Sequence, residues 1–199
     1  NATDARGLGG TPAVGQFGGG ASNLTYLLRY AASATAPAGR DLVLRRPPAG
    51  TKAKGAHDMR REHDLQAALA PVFPLVPRMV ACCQDHEVLG SDFYVMERVA
   101  GIILRRNLPV ELGLDADTTR RLCVAAVDTL ADLHAVDVEA AGLGGLGRGP
   151  GYVGRQVAGW SERYRKARTP DAPDAEAVMA WLAAEQPPDV ATVLIHNYF

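Results

Sequence analysis

No apolar stretch of this chain approaches the roughly 18 residues that a membrane-spanning helix needs. The opening NATDARGLGG also lacks the charged-then-apolar pattern of a secretory leader. A membrane partner is therefore not expected, and a cytoplasmic location is. Cysteine is scarce: Cys82, Cys83 and Cys123 show neither C-x-x-C nor Cys/His spacing, which argues against a zinc ribbon or a redox motif and for reduced, buried thiols. Charge of one sign is missing too. A formal net charge of −1 gives no basic field for nucleic acid or an anionic surface, so a small molecule is the expected partner. Residues 142–147, GLGGLG, spell the dinucleotide fingerprint, but a helix pattern precedes them and RGPG follows; without a strand before and a helix within, they read as a loop. A Rossmann fold is excluded on that ground.

What is present is ordinary globular composition, 47% apolar and 22% charged in 199 residues, enough for one large domain or two small ones. The pattern changes at residues 91–101, SDFYVMERVAG. Strands and one helix come before it and helices after it, a switch that suggests two lobes at a hinge with a ligand crevice between them.

Residues 12–30 place two strand-like segments around Gly18, Gly19 and Gly20. The tip is either a flexible turn or a flap whose backbone N–H groups, with Ser22 and Asn23, approach phosphates. No Gly-Lys-Ser/Thr follows, so it is not a Walker loop. Residues 41–46, DLVLRR, form a strand that Pro47 and Pro48 end; Arg45 either aims a fixed cation into the crevice or is solvated. Residues 56–70 are strong helix formers bounded by Pro71, and by spacing alone Glu62 is a surface residue of that helix. Short strands are expected over residues 80–83 and 93–96, with His86 and Glu87 near a turn between them. The clearest helix spans residues 117–136, where Leu122, Ala126, Leu130 and Leu133 recur at three and four, Asp117 or Thr118 caps the start, and His134 packs or caps. Helices over 152–167 and 174–185 follow, and residues 190–195 read as a buried-type strand that delivers His196 and Asn197 to a surface.

The segments GGGASNLTYLL, DLVLRRPP, REHDLQAAL, DFYVMERVAG, TLADLHAVD, GYVGRQVAGWSERY and VLIHN, in this order over nearly the whole chain, resemble the aminoglycoside phosphotransferase family, and within it the acyl-CoA-dehydrogenase-associated branch. The resemblance implies an α+β, protein-kinase-like fold of two lobes. An antiparallel-sheet amino lobe with one helix would fill residues 1–95, a hinge 96–101, and an incomplete helical carboxyl lobe 102–199. It implies an ATP-dependent transfer to a small-molecule acceptor, with magnesium as the second cofactor. Arg45 and Glu62 would pair and hold the phosphates, with arginine in place of the family's usual lysine keeping the charge. Ser22 and Asn23 would sit at the flap, and backbone groups near Glu97 and Val99 would bind adenine.

The end of the sequence departs from the pattern. His196 and Asn197 begin the family's catalytic loop, but Tyr198 stands where the catalytic Asp is expected, and a phenol with a pKa near 10 is no carboxylate base at pH 7. The metal ligands that the resemblance calls for are absent from the 199 residues. Three readings stay open: a kinase of which these residues are the first part, a nucleotide-binding pseudokinase, and an inactive fragment. The chain alone is expected not to catalyse transfer, and an exposed apolar patch with a tendency to associate is expected.

Overall fold

The computed structural model describes residues 8, 10–18, 23–32, 37–50, 57–104 and 107–196, and divides into two compact units, residues 1–133 and 134–199. The first unit is built on one five-stranded sheet of β1 (Ala13–Gln16), β2 (Leu24–Tyr30), β3 (Arg40–Arg46), β4 (Met79–Cys83) and β5 (Phe93–Glu97). Its order is β1-β2-β3-β5-β4, and every pairing is antiparallel. The change of period read at mid-chain thus corresponds to the end of this sheet. The tip of the β1–β2 hairpin, including Gly19, Gly20 and Ser22, lies outside the described residues.

Strand alternation sorts the sheet into two faces. Leu42, Leu44 and Val95 form a buried cluster on one face, with Tyr26, Leu28, Tyr30, Phe93 and Leu8 packed around it. The registers Tyr26↔Leu44↔Val95 and Leu28↔Leu42 put these side chains in cross-strand contact. The other face presents Val43, Arg45, Tyr94 and Met96, aligned by the pairs Val43↔Met96 and Arg45↔Tyr94. Helix α1 (Met59–Leu69) packs on β4 and β5 with Met59 and Leu69 buried.

Helix α1 is shorter than the 56–70 read from composition, because Asp58 caps it: its Oδ1 accepts from the Arg61 N–H at 2.9 Å, and the chain enters through His57 at φ +60°. His86 and Glu87 stand in one helical turn, α2 (His86–Leu89), capped by Asp85 and closed by Gly90 in the left-handed conformation. Helix α3 (Ala116–His134) begins one residue before the expected start, and its cap is neither Asp117 nor Thr118. Asp115 does this work, accepting from the Thr118 N–H at 2.7 Å, and hydrogen bonds from the Thr118 side chain first and its backbone second hold its carboxyl below the ordinary range.

In the second unit, α4 (Tyr152–Ala167) packs against α5 (Glu176–Ala184), and Arg165 clamps Glu176 with two hydrogen bonds of 2.8 and 2.7 Å. Residues 142–147 form a turn and a short 3-10 segment, Gly144–Leu146, in keeping with their reading as a loop. The strand expected over 190–195 is not formed. Val190 is 99% exposed, and no described strand of this unit is available to pair with the segment. No helix among the described residues is long and apolar enough to cross a membrane.

Candidate functional site

A polar cluster lies on the α1 face of the sheet, entirely within the first unit, and Glu62 is its centre. β3 carries Arg45 onto this face because it alternates with the buried Leu44, and the register puts Tyr94 of β5 directly opposite. The capped start of α1 sets Glu62 in its first turn and turns it toward the sheet. The Arg45 Nη1 then stands 3.7 Å from Glu62 Oε2, so the two residues named from the resemblance face each other.

Glu62 is not the surface residue that its spacing suggested. Its Oε1 accepts from the Asn23 Nδ2 at 3.1 Å and its Oε2 from the Tyr94 hydroxyl at 3.1 Å. Both donors are buried, Tyr94 at 0% and Asn23 at 8% exposure. Because the Asn23 amide nitrogen points at a carboxylate, its Oδ1 is left as an acceptor, and His57 Nδ1–H donates to it at 2.6 Å. Gln66, one turn beyond Glu62, donates to the Glu62 carbonyl at 3.1 Å and more weakly to the Tyr94 hydroxyl at 3.4 Å. Burial pushes the Tyr94 hydroxyl up, with the Arg45 charge opposing it, so the phenol remains a proton donor to Glu62 at neutral pH.

Arg45 is held more loosely than its neighbours. Its contacts are the 3.7 Å approach to Glu62 and a place over the Tyr94 ring, 5.9 Å from the centroid. Its Nε is buried without a hydrogen-bond partner among the described residues. A half-buried guanidinium with donors to spare beside a carboxylate already satisfied by others is suited to receive an anion.

At the far end of β5, Glu97 accepts from Arg78 at 2.7 Å and from Arg40 at 3.2 Å, and the Arg78 hydrogen bond, against a smaller cost of burial, holds its carboxyl below the ordinary range. Its backbone N–H donates to the Arg78 carbonyl at 2.9 Å, and Val99 lies exposed beyond the strand. Arg98 pairs with Asp41 at 2.5 Å, and Arg29 reaches the same carboxylate at 3.4 Å. These ion pairs tie the segment after β5 to β3. Among the other site residues read from sequence, Ser22, Asn197 and Tyr198 lie outside the described residues, and His196 is exposed. Among the described residues, no three His, Cys, Asp or Glu side chains converge as a metal site.

Sequence reasoning did not find Tyr94, His57 or Gln66. A signal existed for two of them: strand alternation puts Tyr94 two residues before Met96 on a single face, and Glu62 and Gln66 are four apart on a helix. Nothing local links His57 to Asn23, which are 34 residues apart.

Residues 13–198 match the phosphotransferase enzyme family. The chain is 38% identical over 191 residues to acyl-CoA dehydrogenase family member 11 of Gallus gallus and 36% identical over 200 residues to family member 10 of Mus musculus. The alignments cover 96% and 98% of this chain but 23% and 18% of those relatives, so it spans about a fifth of their length. Among solved structures it is similar to one from Ralstonia eutropha JMP134 assigned as an aminoglycoside phosphotransferase, with TM-score 0.71 and 32% identity, over 91% of this chain and 50% of that one.

Proposed function

Because the chain belongs to the phosphotransferase enzyme family and shares its kinase-like fold, we propose that it is the nucleotide-holding part of an ATP-dependent small-molecule kinase. The observation that carries this reading is Arg45: a cation with unused donors, backed by Glu62, on the sheet face that a phosphate chain would approach. Arg45 would take phosphate oxygens, and the backbone near Glu97 and Val99 would meet the base. Asn23, whose amide is committed to Glu62 and His57, would act from the root of the flap, and Ser22 at the flap itself. These residues fit the anionic part of ATP. They do not supply a magnesium site among the described residues.

Bound ATP would supply the transferable phosphoryl group, and the residues above would hold and orient it. The proton-accepting carboxylate is a different matter: residues 190–199 contain no Asp or Glu, and Tyr198 cannot act as an ionised base at pH 7. The 199-residue chain is therefore proposed to bind nucleotide without transferring phosphate. Cytoplasmic residence and a small-molecule acceptor belong to the same proposal. Exposed Trp160 and Trp181, at 62% and 61%, support association through the second unit. A thermal-shift titration with ATP beside a turnover assay tests the reading. A shift without turnover supports it, and turnover well above a blank, or no shift at saturating ATP, counts against it.

A further inference from the structure

The unusual feature of the cluster is how little of Glu62 is left for Arg45. One carboxylate oxygen is taken by Asn23 at 3.1 Å and the other by the Tyr94 hydroxyl at 3.1 Å, while Arg45 stands off at 3.7 Å, too far for a good hydrogen bond. An arginine and a carboxylate left to themselves close into a bidentate pair with two parallel hydrogen bonds. Here each oxygen already accepts one hydrogen bond from a buried donor, so the carboxylate cannot turn to meet the fork without giving one of those bonds up. Tyr94 also supports the guanidinium from below, because Arg45 lies over its ring at 5.9 Å. Full burial and contact with Gln66 fix the ring and hydroxyl of Tyr94.

We infer that Tyr94 and Asn23 are positioning residues: by fixing the orientation of the Glu62 carboxylate through both of its oxygens, they stop Arg45 from closing onto it and keep its guanidinium available to a phosphate chain. The inference rests on the phosphotransferase reading and adds the residues that set its phosphate affinity. Glu62 is then held where its charge does not capture Arg45. The donor order His57 to Asn23 to Glu62 makes this arrangement depend on the segment that enters α1 and on the root of the β1–β2 hairpin together.

The test is calorimetric binding of inorganic tripolyphosphate and of ATP to the chain, with melting curves to check folding. Tyr94→Phe keeps the ring and removes the hydroxyl, so Glu62 Oε2 becomes free to take Arg45. Affinity for both ligands is expected to fall by about tenfold, the scale of one charge-assisted hydrogen bond gained by a competitor. Adding Glu62→Gln to Tyr94→Phe removes the charge that captures Arg45 and is expected to restore most of the loss, a rescue that general loosening of the core would not give. Should Tyr94→Phe fail to fold, Asn23→Ala frees the other oxygen and answers the same question. Unchanged affinity in a folded Tyr94→Phe chain, or a double variant no tighter than the single one, overturns the inference and leaves the nucleotide-binding reading intact. A wild-type chain that binds neither ligand overturns both. Tripolyphosphate binding that falls in Tyr94→Phe, without ATP binding, supports the inference and removes the adenine contact from the functional reading.

Discussion

Replacing Glu62 with alanine separates a surface glutamate from the centre of a buried network. The substitution leaves the Asn23 amide and the Tyr94 hydroxyl, 8% and 0% exposed, without their acceptor. A buried donor stripped of its partner costs about 1–3 kcal/mol. Two donors would give about 2–6 kcal/mol, but the 32% exposure of the Glu62 side chain lets water replace part of the loss, so about 2–4 kcal/mol is expected. Glu62→Gln keeps one acceptor oxygen and turns an NH2 toward the other donor, so about half of that loss is expected. The probe has to report on the right unit. Trp160 and Trp181 both lie in the second unit, so tryptophan fluorescence would follow the wrong part of the chain. Hydrogen exchange at the Val43 and Leu44 amides of β3 reads the opening of the sheet directly. A change within about 0.5 kcal/mol for Glu62→Ala is what a solvated helix residue gives, and it would refute the network.

Leu42→Ala, at a site 1% exposed in the other layer of the sheet, is expected to cost about 2–5 kcal/mol in the same exchange measurement. The Glu97 carboxyl is held below the ordinary glutamate range by Arg78 and Arg40, so its stabilising contribution is present above that range and is lost as pH falls through the depressed folded value. Urea midpoints measured from pH 6 downward should therefore fall less steeply in Glu97→Gln than in the wild-type chain, and parallel slopes would contradict the pairing. Replacing Trp160 and Trp181 together with serine should reduce self-association in sedimentation runs without lowering the protection of β3; unchanged sedimentation would move the association site elsewhere.

The sheet was legible because its strands carry their own signals. DLVLRR alternates between a buried face and the face of Arg45, and prolines 47 and 48 close it. The helices were legible by period and capping, and their ends shifted where a different residue took the cap, as Asp58 and Asp115 do. Glu62 was misread from its local spacing because its partners are Asn23, just before β2, and Tyr94 of β5, 39 and 32 residues away in sequence. Residues 190–195 misled for the opposite reason: a run of valine and isoleucine has strand propensity, but a strand exists only where a second one pairs with it. The pairing of Arg45 with Glu62 came from family resemblance, and the reason that pair stays open came only from the side chains around it.

The most direct measurement of the central claim is calorimetric titration of Mg–ATP into the wild-type and Arg45→Met chains, with phosphate release followed in the same samples. The account expects saturable binding to the wild-type chain, a loss of about tenfold or more in Arg45→Met from removing a charged donor, and no release above a protein-free blank. Equal affinity in the two chains would contradict the assignment of the phosphates to Arg45.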